Sequence, residues 1–73
     1  MEIKIIYCTQ WNYLPYAERV SDEINNVCKN ITLIPSSKGI FDILVDDNEI
    51  FSKYKSDRFP NEGEILELIN KYL

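Results

Sequence analysis

Between Tyr7 and Tyr13 the hydrophobic period of this chain changes. Ile3, Ile5 and Tyr7 alternate with Glu2, Lys4 and one further apolar residue, Ile6, which is the period of a buried strand over residues 2–7. From Tyr13 onward Leu14, Ala17, Val20, Ile24, Val27 and Cys28 recur at steps of three and four, with Glu18, Arg19, Asp22, Glu23 and Asn26 between them. That is the apolar stripe of a long amphipathic helix, with Asn12 as its expected N-cap and Pro15 in the first turn, where a missing N–H costs nothing. Ile31, Thr32, Leu33 and Ile34 then form a short β-branched run, stopped by Pro35, Ser36 and Ser37. Strand, helix and strand in that order leave little freedom. The crossover is right-handed and its two strands lie parallel in one sheet.

The remainder completes the sheet. Residues 40–45 read as a third strand, Asp46, Asp47 and Asn48 as a turn, and residues 49–54 as a fourth strand, so the last two form an antiparallel hairpin. From about Asn61 to Leu73, Ile65, Leu68, Ile69 and Tyr72 share one stripe, with Leu66 and Leu73 beside it, and predict a C-terminal helix. The expected class is α/β: βαβββα, a mixed four-stranded sheet with two helices, similar to a minimal thioredoxin-like arrangement and compatible with other small α/β sandwiches. Seventy-three residues allow one domain, 1–73, and at this size only about 60% of the unfolded surface leaves water on folding.

Charge narrows the function classes. Twelve acids against eight bases give a formal net charge of −4, without any long single-sign run. Phosphate neutralisation needs clustered Lys and Arg, so nucleic acid and anionic membrane surfaces are disfavoured partners. The apolar runs fall far short of the roughly 20 residues of a bilayer span, and the acidic start does not resemble a signal peptide, which makes the cytoplasm the expected compartment. The chain contains no His, so Cys–His and Ser–His dyads and imidazole zinc sites are excluded. The acids around the hairpin, Asp42, Asp46, Asp47 and Glu49, lack the spacing of a calcium loop and read as a solvated turn. No metal and no bound cofactor is expected.

The two cysteines differ in setting. If residues 13–28 form one helix, about 15 steps of ~1.5 Å put Cys28 roughly 22 Å from the end near Cys8. A disulfide needs Cα atoms within about 7 Å, so no bridge between them is expected, and unpaired thiols suit a reducing interior. Cys28 falls at the end of the apolar helix face and reads as a core residue.

Cys8 lies at the strand–helix junction, with Thr9 and Gln10 separating it from Trp11. That spacing is the spacing of a Cys-x-x-Cys or Cys-x-x-selenocysteine redox loop, with an indole at the second position. Unpaired backbone N–H groups and the positive end of a helix dipole favour thiolate at such a place, so Cys8 is the candidate nucleophile. The bland alternative is a small buried hydrophobe at a strand end. An indole cannot resolve a mixed disulfide, so with Trp11 in place only a monothiol cycle remains, completed by a second thiol from solution.

Three segments resemble the selenoprotein W-like, or Rdx, family of thioredoxin-like proteins, which also takes in relatives of selenoproteins T and H. They are Tyr7-Cys8-Thr9-Gln10 followed by a redox position and then Asn12-Tyr13; Gly39-Ile40-Phe41-Asp42-Ile43, similar to a family Gly-x-Phe-Glu-Val strand; and Arg58-Phe59-Pro60, similar to a Gly-Phe-Pro segment before the last helix. The resemblance runs nearly end to end. It implies a thiol-based oxidoreductase in which Cys8 and residue 11 form a reversible disulfide or selenenylsulfide, with glutathione or a protein thiol as electron partner. Trp11 departs from that pattern. UGA encodes selenocysteine and is read as Trp in some genetic systems, so position 11 is either a replaced selenocysteine or a natural loss of the second redox residue. The competing function is a catalytically silent protein-binding module that uses the Cys8 loop as a contact surface, with Trp11, Tyr13 and Phe59 forming an apolar patch beside the thiol. In the alternative, Phe59 is a staple for the last helix.

Overall fold

The computed structural model of the protein describes residues 1–72. Its elements are β1 (Ile3–Cys8), α1 (Leu14–Ile24), β2 (Ile31–Ser36), β3 (Phe41–Val45), β4 (Asn48–Ser52), α2 (Lys53–Ser56) and α3 (Glu64–Asn70). The strands form one sheet in the order β2-β1-β3-β4. β1 runs parallel to β2, from Ile3 opposite Ile31 to Cys8 opposite Ser36, and antiparallel to β3, with Tyr7 opposite Phe41. β4 closes the hairpin antiparallel to β3. The mixed sheet expected from the period change is thus the observed one.

Both long helices cover the same face. Ile3 and Ile5 of β1 and Phe41, Ile43 and Val45 of β3 are fully buried against Ala17, Val20 and Ile24 of α1 and Ile65 and Ile69 of α3. Each such side chain contributes about 1.5–3 kcal/mol on transfer from water, which makes this single layer the source of the domain's stability. The other face, with Lys4, Ile6, Asp42 and Leu44, is only half-buried.

Several boundaries differ from the sequence reading, each for a local reason. Helix α1 stops at Ile24 instead of continuing to Cys28, because Asn25 and Asn26 favour turns and the chain tightens through Val27 N–H to Ile24 O (3.1 Å) and Cys28 N–H to Ile24 O (3.0 Å). Val27 is left exposed. Asn12 is not a cap: its φ of 57° is left-handed, the flanking residue of α1 is Tyr13, and no side chain caps the helix. Asn tolerates that region because its short polar side chain bonds locally, and it turns the loop back onto the strand. Pro35 does not end β2. The strand lies at the sheet edge, where a residue without an N–H loses no ladder bond.

Strand β4 ends at Ser52, and residues 53–56 coil into the short α2, closed by left-handed Asp57, whose N–H reaches Lys53 O at 2.7 Å. The C-terminal helix occupies Glu64–Asn70, shorter than the expected 61–73. Glu64 reaches back to the Asn61 N–H at 2.9 Å and grips Arg58 through both guanidinium NH groups at 2.7 and 2.9 Å, fixing where the helix begins. Tyr72 is exposed and Leu73 lies outside the described residues. The expected turn holds: Asp46 and Asp47 have φ of 48° and 70°, as a two-residue hairpin turn that follows the sheet twist requires.

Candidate functional site

The junction between β1 and α1 is held from two sides. Toward the sheet, the Thr9 N–H and hydroxyl both donate to Ser36 O, at 3.0 and 3.1 Å, so β2 extends its hold one residue beyond the strand. Within the loop, Asn12 N–H donates to Thr9 O (3.2 Å) and Tyr13 N–H to Cys8 O (3.0 Å). The loop therefore closes on itself just before α1. Inside that closure the Trp11 N–H points at Cys8 Sγ, 3.3 Å away.

Cys8, Thr9, Gln10 and Trp11 share one loop, as the sequence predicts, but the two ends of the motif face opposite ways. Cys8 is fully buried, whereas Trp11 is 61% exposed. Position 11 is the one presented to solvent. Strict alternation would put Cys8 on the half-buried face with Lys4 and Ile6; the pattern breaks at half-buried Tyr7, so Cys8 ends β1 packed in the core while Trp11 lies beyond the turn. Both cysteines are unpaired.

The sequence reading missed the segment that seats this loop. The Lys38 N–H reaches Gln10 Oε1 at 3.4 Å, and the indole of Trp11 lies on Gly39. A Cβ on Gly39 would stand 2.5 Å from Trp11 Cζ3, and φ there is +72°, so both space and backbone require glycine. The hydroxyl of Tyr54 donates to Lys38 O, tying α2 to the same turn. The only sequence signal for this seat was a glycine ahead of an apolar run.

The aromatic patch is also rearranged. Tyr13 is buried instead of exposed and forms edge contacts with Trp11 (6.1 Å between centroids), Phe41 (6.5 Å) and Phe59 (4.8 Å). Phe59 is half-buried and stacks face to face on Tyr16 at 3.8 Å. It thus joins the segment before α3 to the first turn of α1, combining the staple with the patch. The exposed aromatic rings at this end are Trp11, Tyr16 and Tyr54. Lys53 places its ammonium 5.8 Å from the Tyr13 ring and 5.3 Å from the Phe59 ring. A concavity of about 300 Å³ over β4, lined by Phe51, Ser52, Glu64 and Leu68 among others, includes no residue of the Cys8 loop.

Chemically, the loop offers a sheltered sulfur with one backbone donor aimed at it. Hydrogen bonds to a charged acceptor are about twice as strong as neutral ones, so this donor gains strength as charge builds on sulfur. Among the described residues no helix is long and apolar enough to cross a membrane.

No curated protein matches the sequence. Among solved structures, a selenoprotein W-related protein from Vibrio cholerae superposes with a TM-score of 0.90 at 21% identity, over 97% of this chain and 94% of that one. A protein from Bordetella parapertussis does so with a TM-score of 0.85, also at 21% identity, over 99% and 96%. These likenesses show a shared fold, and the Rdx family model matches residues 2–71. With sheet order and family match in agreement, the chain belongs to the Rdx family of thioredoxin-like proteins.

Proposed function

We propose that this protein performs thiol redox chemistry through Cys8, with glutathione or a protein thiol as electron partner in a reducing compartment such as the cytoplasm. The observation that carries the reading is the Trp11 N–H aimed at Cys8 Sγ at 3.3 Å, at the mouth of α1. In the forward step the Cys8 thiol attacks a glutathione disulfide; the new bond joins Cys8 to one glutathione, and the other leaves as a thiol. A second thiol then attacks the mixed disulfide, returns Cys8 to the reduced form and carries the oxidising equivalent away as a disulfide. Trp11 takes no part in resolution, so turnover depends on the concentration of that second thiol.

Position 11 bears on the same reading. It is the solvent-facing place in a motif whose family counterpart is Cys or selenocysteine, and a chalcogen there would stand in front of Cys8 as the attacking group. The native codon decides this: UGA supports a replaced selenocysteine, and UGG fixes the indole as the natural group.

A second reading has its own observation. Full burial of Cys8 behind an exposed Trp11 suits a protein-binding module that keeps the fold without the chemistry. Incubating the folded chain with glutathione disulfide and weighing it separates the two. A Cys8 adduct that forms in the native protein, and is discharged by added thiol, supports redox function. A thiol that reacts only after denaturation favours the module.

A further inference from the structure

The charges of this chain are segregated by its fold. Three segments distant in sequence, residues 8–16, 36–41 and 52–60, meet at the C-terminal end of β1: Thr9 bonds to Ser36, Tyr13 packs on Phe41 and Phe59, Lys53 lies over the same rings, and Tyr54 bonds to Lys38. These segments contain four bases, Lys38, Lys53, Lys55 and Arg58, and one acid, Asp57, for a net charge of +3. The rest of the chain holds four bases and eleven acids, a net −7. Glu49 and Glu64 fold back onto Lys55 and Arg58, which leaves this end at +1 and the rest of the chain at −5, so the end that holds the Cys8 loop is the least acidic part of a chain of net charge −4.

Two of the four cations are engaged, Arg58 by Glu64 and Lys55 by Glu49 at 3.2 Å. Lys38 and Lys53 make no ion pair among the described residues. Apolar exposure collects at the same end. Of the seven exposed large hydrophobic side chains among the described residues, four, Trp11, Leu14, Tyr16 and Tyr54, belong to these segments. Rigid aromatic rings beside unpaired cations form a binding surface in which the rings take an apolar anchor and the cations take carboxylates.

We propose that this end of the molecule docks an acidic polypeptide segment bearing an aliphatic or aromatic anchor, seated on Trp11, Tyr16 and Tyr54 with its carboxylates toward Lys38 and Lys53. A basic partner meets Lys38 and Lys53 and is repelled by them. A nucleic acid fits less well, because two unpaired lysines neutralise few phosphates and the acidic remainder of the chain repels a polyanion. The surface includes the Cys8 loop and so specifies the partner of the site proposed above, but its binding requires no thiol chemistry.

Trp11 is the only tryptophan, so its fluorescence reports on the surface directly. The probe is a short thiol-free peptide of Glu and Asp with one central Leu, titrated against the full chain beside a counterpart with Lys in place of each acid. The acidic peptide is expected to shift Trp11 emission saturably and to bind several-fold more weakly as salt shortens the screening length from ~10 Å at 0.1 M to ~3 Å at 1 M. K38E and K53E should each weaken binding several-fold. K29E, at the opposite end of β1, and C8S should bind as the parent does. Circular dichroism verifies folding, and K38E carries the test if K53E disturbs the ring cluster. Equal binding of the Lys peptide, unchanged affinity in K38E, tighter binding of a single-stranded oligonucleotide, or loss of binding in C8S each overturns the proposal. A chain that takes up glutathione yet ignores the acidic peptide keeps the redox reading and loses this one.

Discussion

Strand β1 has a buried cysteine at each end, and the two sulfurs are held in opposite senses. Cys8, the last residue of the strand, accepts a hydrogen bond from the Trp11 N–H at 3.3 Å. Cys28, packed by the N-terminal end, donates its S–H to Met1 O at 3.3 Å, with Asn30 O farther off at 3.9 Å. One sulfur thus serves as acceptor to a backbone donor, and the other as donor to a backbone carbonyl. The surroundings follow the same division. The Cys8 end gathers Lys38 and Lys53, whereas the other end gathers Glu2, Asp46 and Asp47 around Lys4, with Glu2 N–H on Asp46 at 2.8 Å and Lys4 Nζ on Asp47 at 3.0 Å. Burial does not distinguish the two thiols; the direction of the hydrogen bond and the charge around it do.

The largest expected effect comes from removing the floor of the Cys8 end. Phe41 is fully buried and supports Tyr13 and Phe59, so Phe41→Ala should cost about 3–5 kcal/mol in urea denaturation. A loss below about 1 kcal/mol would mean that the ring cluster does not hold the site. Gly39 and Gly63 provide a matched pair, since both have positive φ, +72° and +80°, but only Gly39 lies under a side chain. Gly63→Ala should cost about 1–2 kcal/mol for the backbone alone. Gly39→Ala should cost more than that and also change Trp11 emission; equal costs and unchanged emission would show that the indole is not seated there.

The two thiols themselves give the next test. With glutathione disulfide and the folded chain, the adduct should appear on Cys8 before Cys28, and Cys28→Ser should leave its rate unchanged. Reaction of Cys28 first would break the contrast between the two ends. Smaller effects come from two carboxylates. The Arg58 guanidinium beside Glu64, with the Asn61 N–H, holds its carboxyl down to about 2. The stability this adds is complete above about 4.5, the ordinary value, and is lost as pH falls toward 2, so Glu64→Gln should flatten that acid limb in pH-dependent melting. Asp42, on the open face, has one carboxylate oxygen without a partner, and burial pushes its carboxyl above the ordinary 3.8. Its ionised form disfavours folding, so Asp42→Asn should raise the melting temperature slightly at neutral pH, with the gain vanishing below 3.8 where both states hold the proton.

How much of this was legible in advance depended on whether the signal was local. The change of period at Tyr13 specifies strand, helix and parallel strand because side-chain direction follows backbone repeat. Asp46 and Asp47 announce a hairpin because short acidic side chains tolerate left-handed backbone. Val27 and Cys28 continue the apolar spacing of α1 past its end, although Asn25 and Asn26 already prefer a turn. Asn12 looked like a cap because caps and left-handed turns favour the same residue. Pro35 looked like a stop because its place at the sheet edge is a property of strand order, which no neighbour in sequence reports.

The sequence by itself determined the α/β class, the parallel crossover, the hairpin and the placing of Cys8, Thr9, Gln10 and Trp11 in one strand-to-helix loop. Those follow from hydrophobic period, turn chemistry and the right-handedness of crossovers. The first two act over a few residues, and the right-handedness of crossovers then fixes how contiguous elements are joined. Only the tertiary structure decided that Cys8 faces inward while Trp11 faces out, that Gly39 carries the indole, and that Lys38 and Lys53, far apart in sequence, come to the same end as the loop. The reason is physical: burial and field depend on what the folded chain places within a few ångströms, and the partners of this loop come from residues 36–41 and 52–60, far away along the sequence.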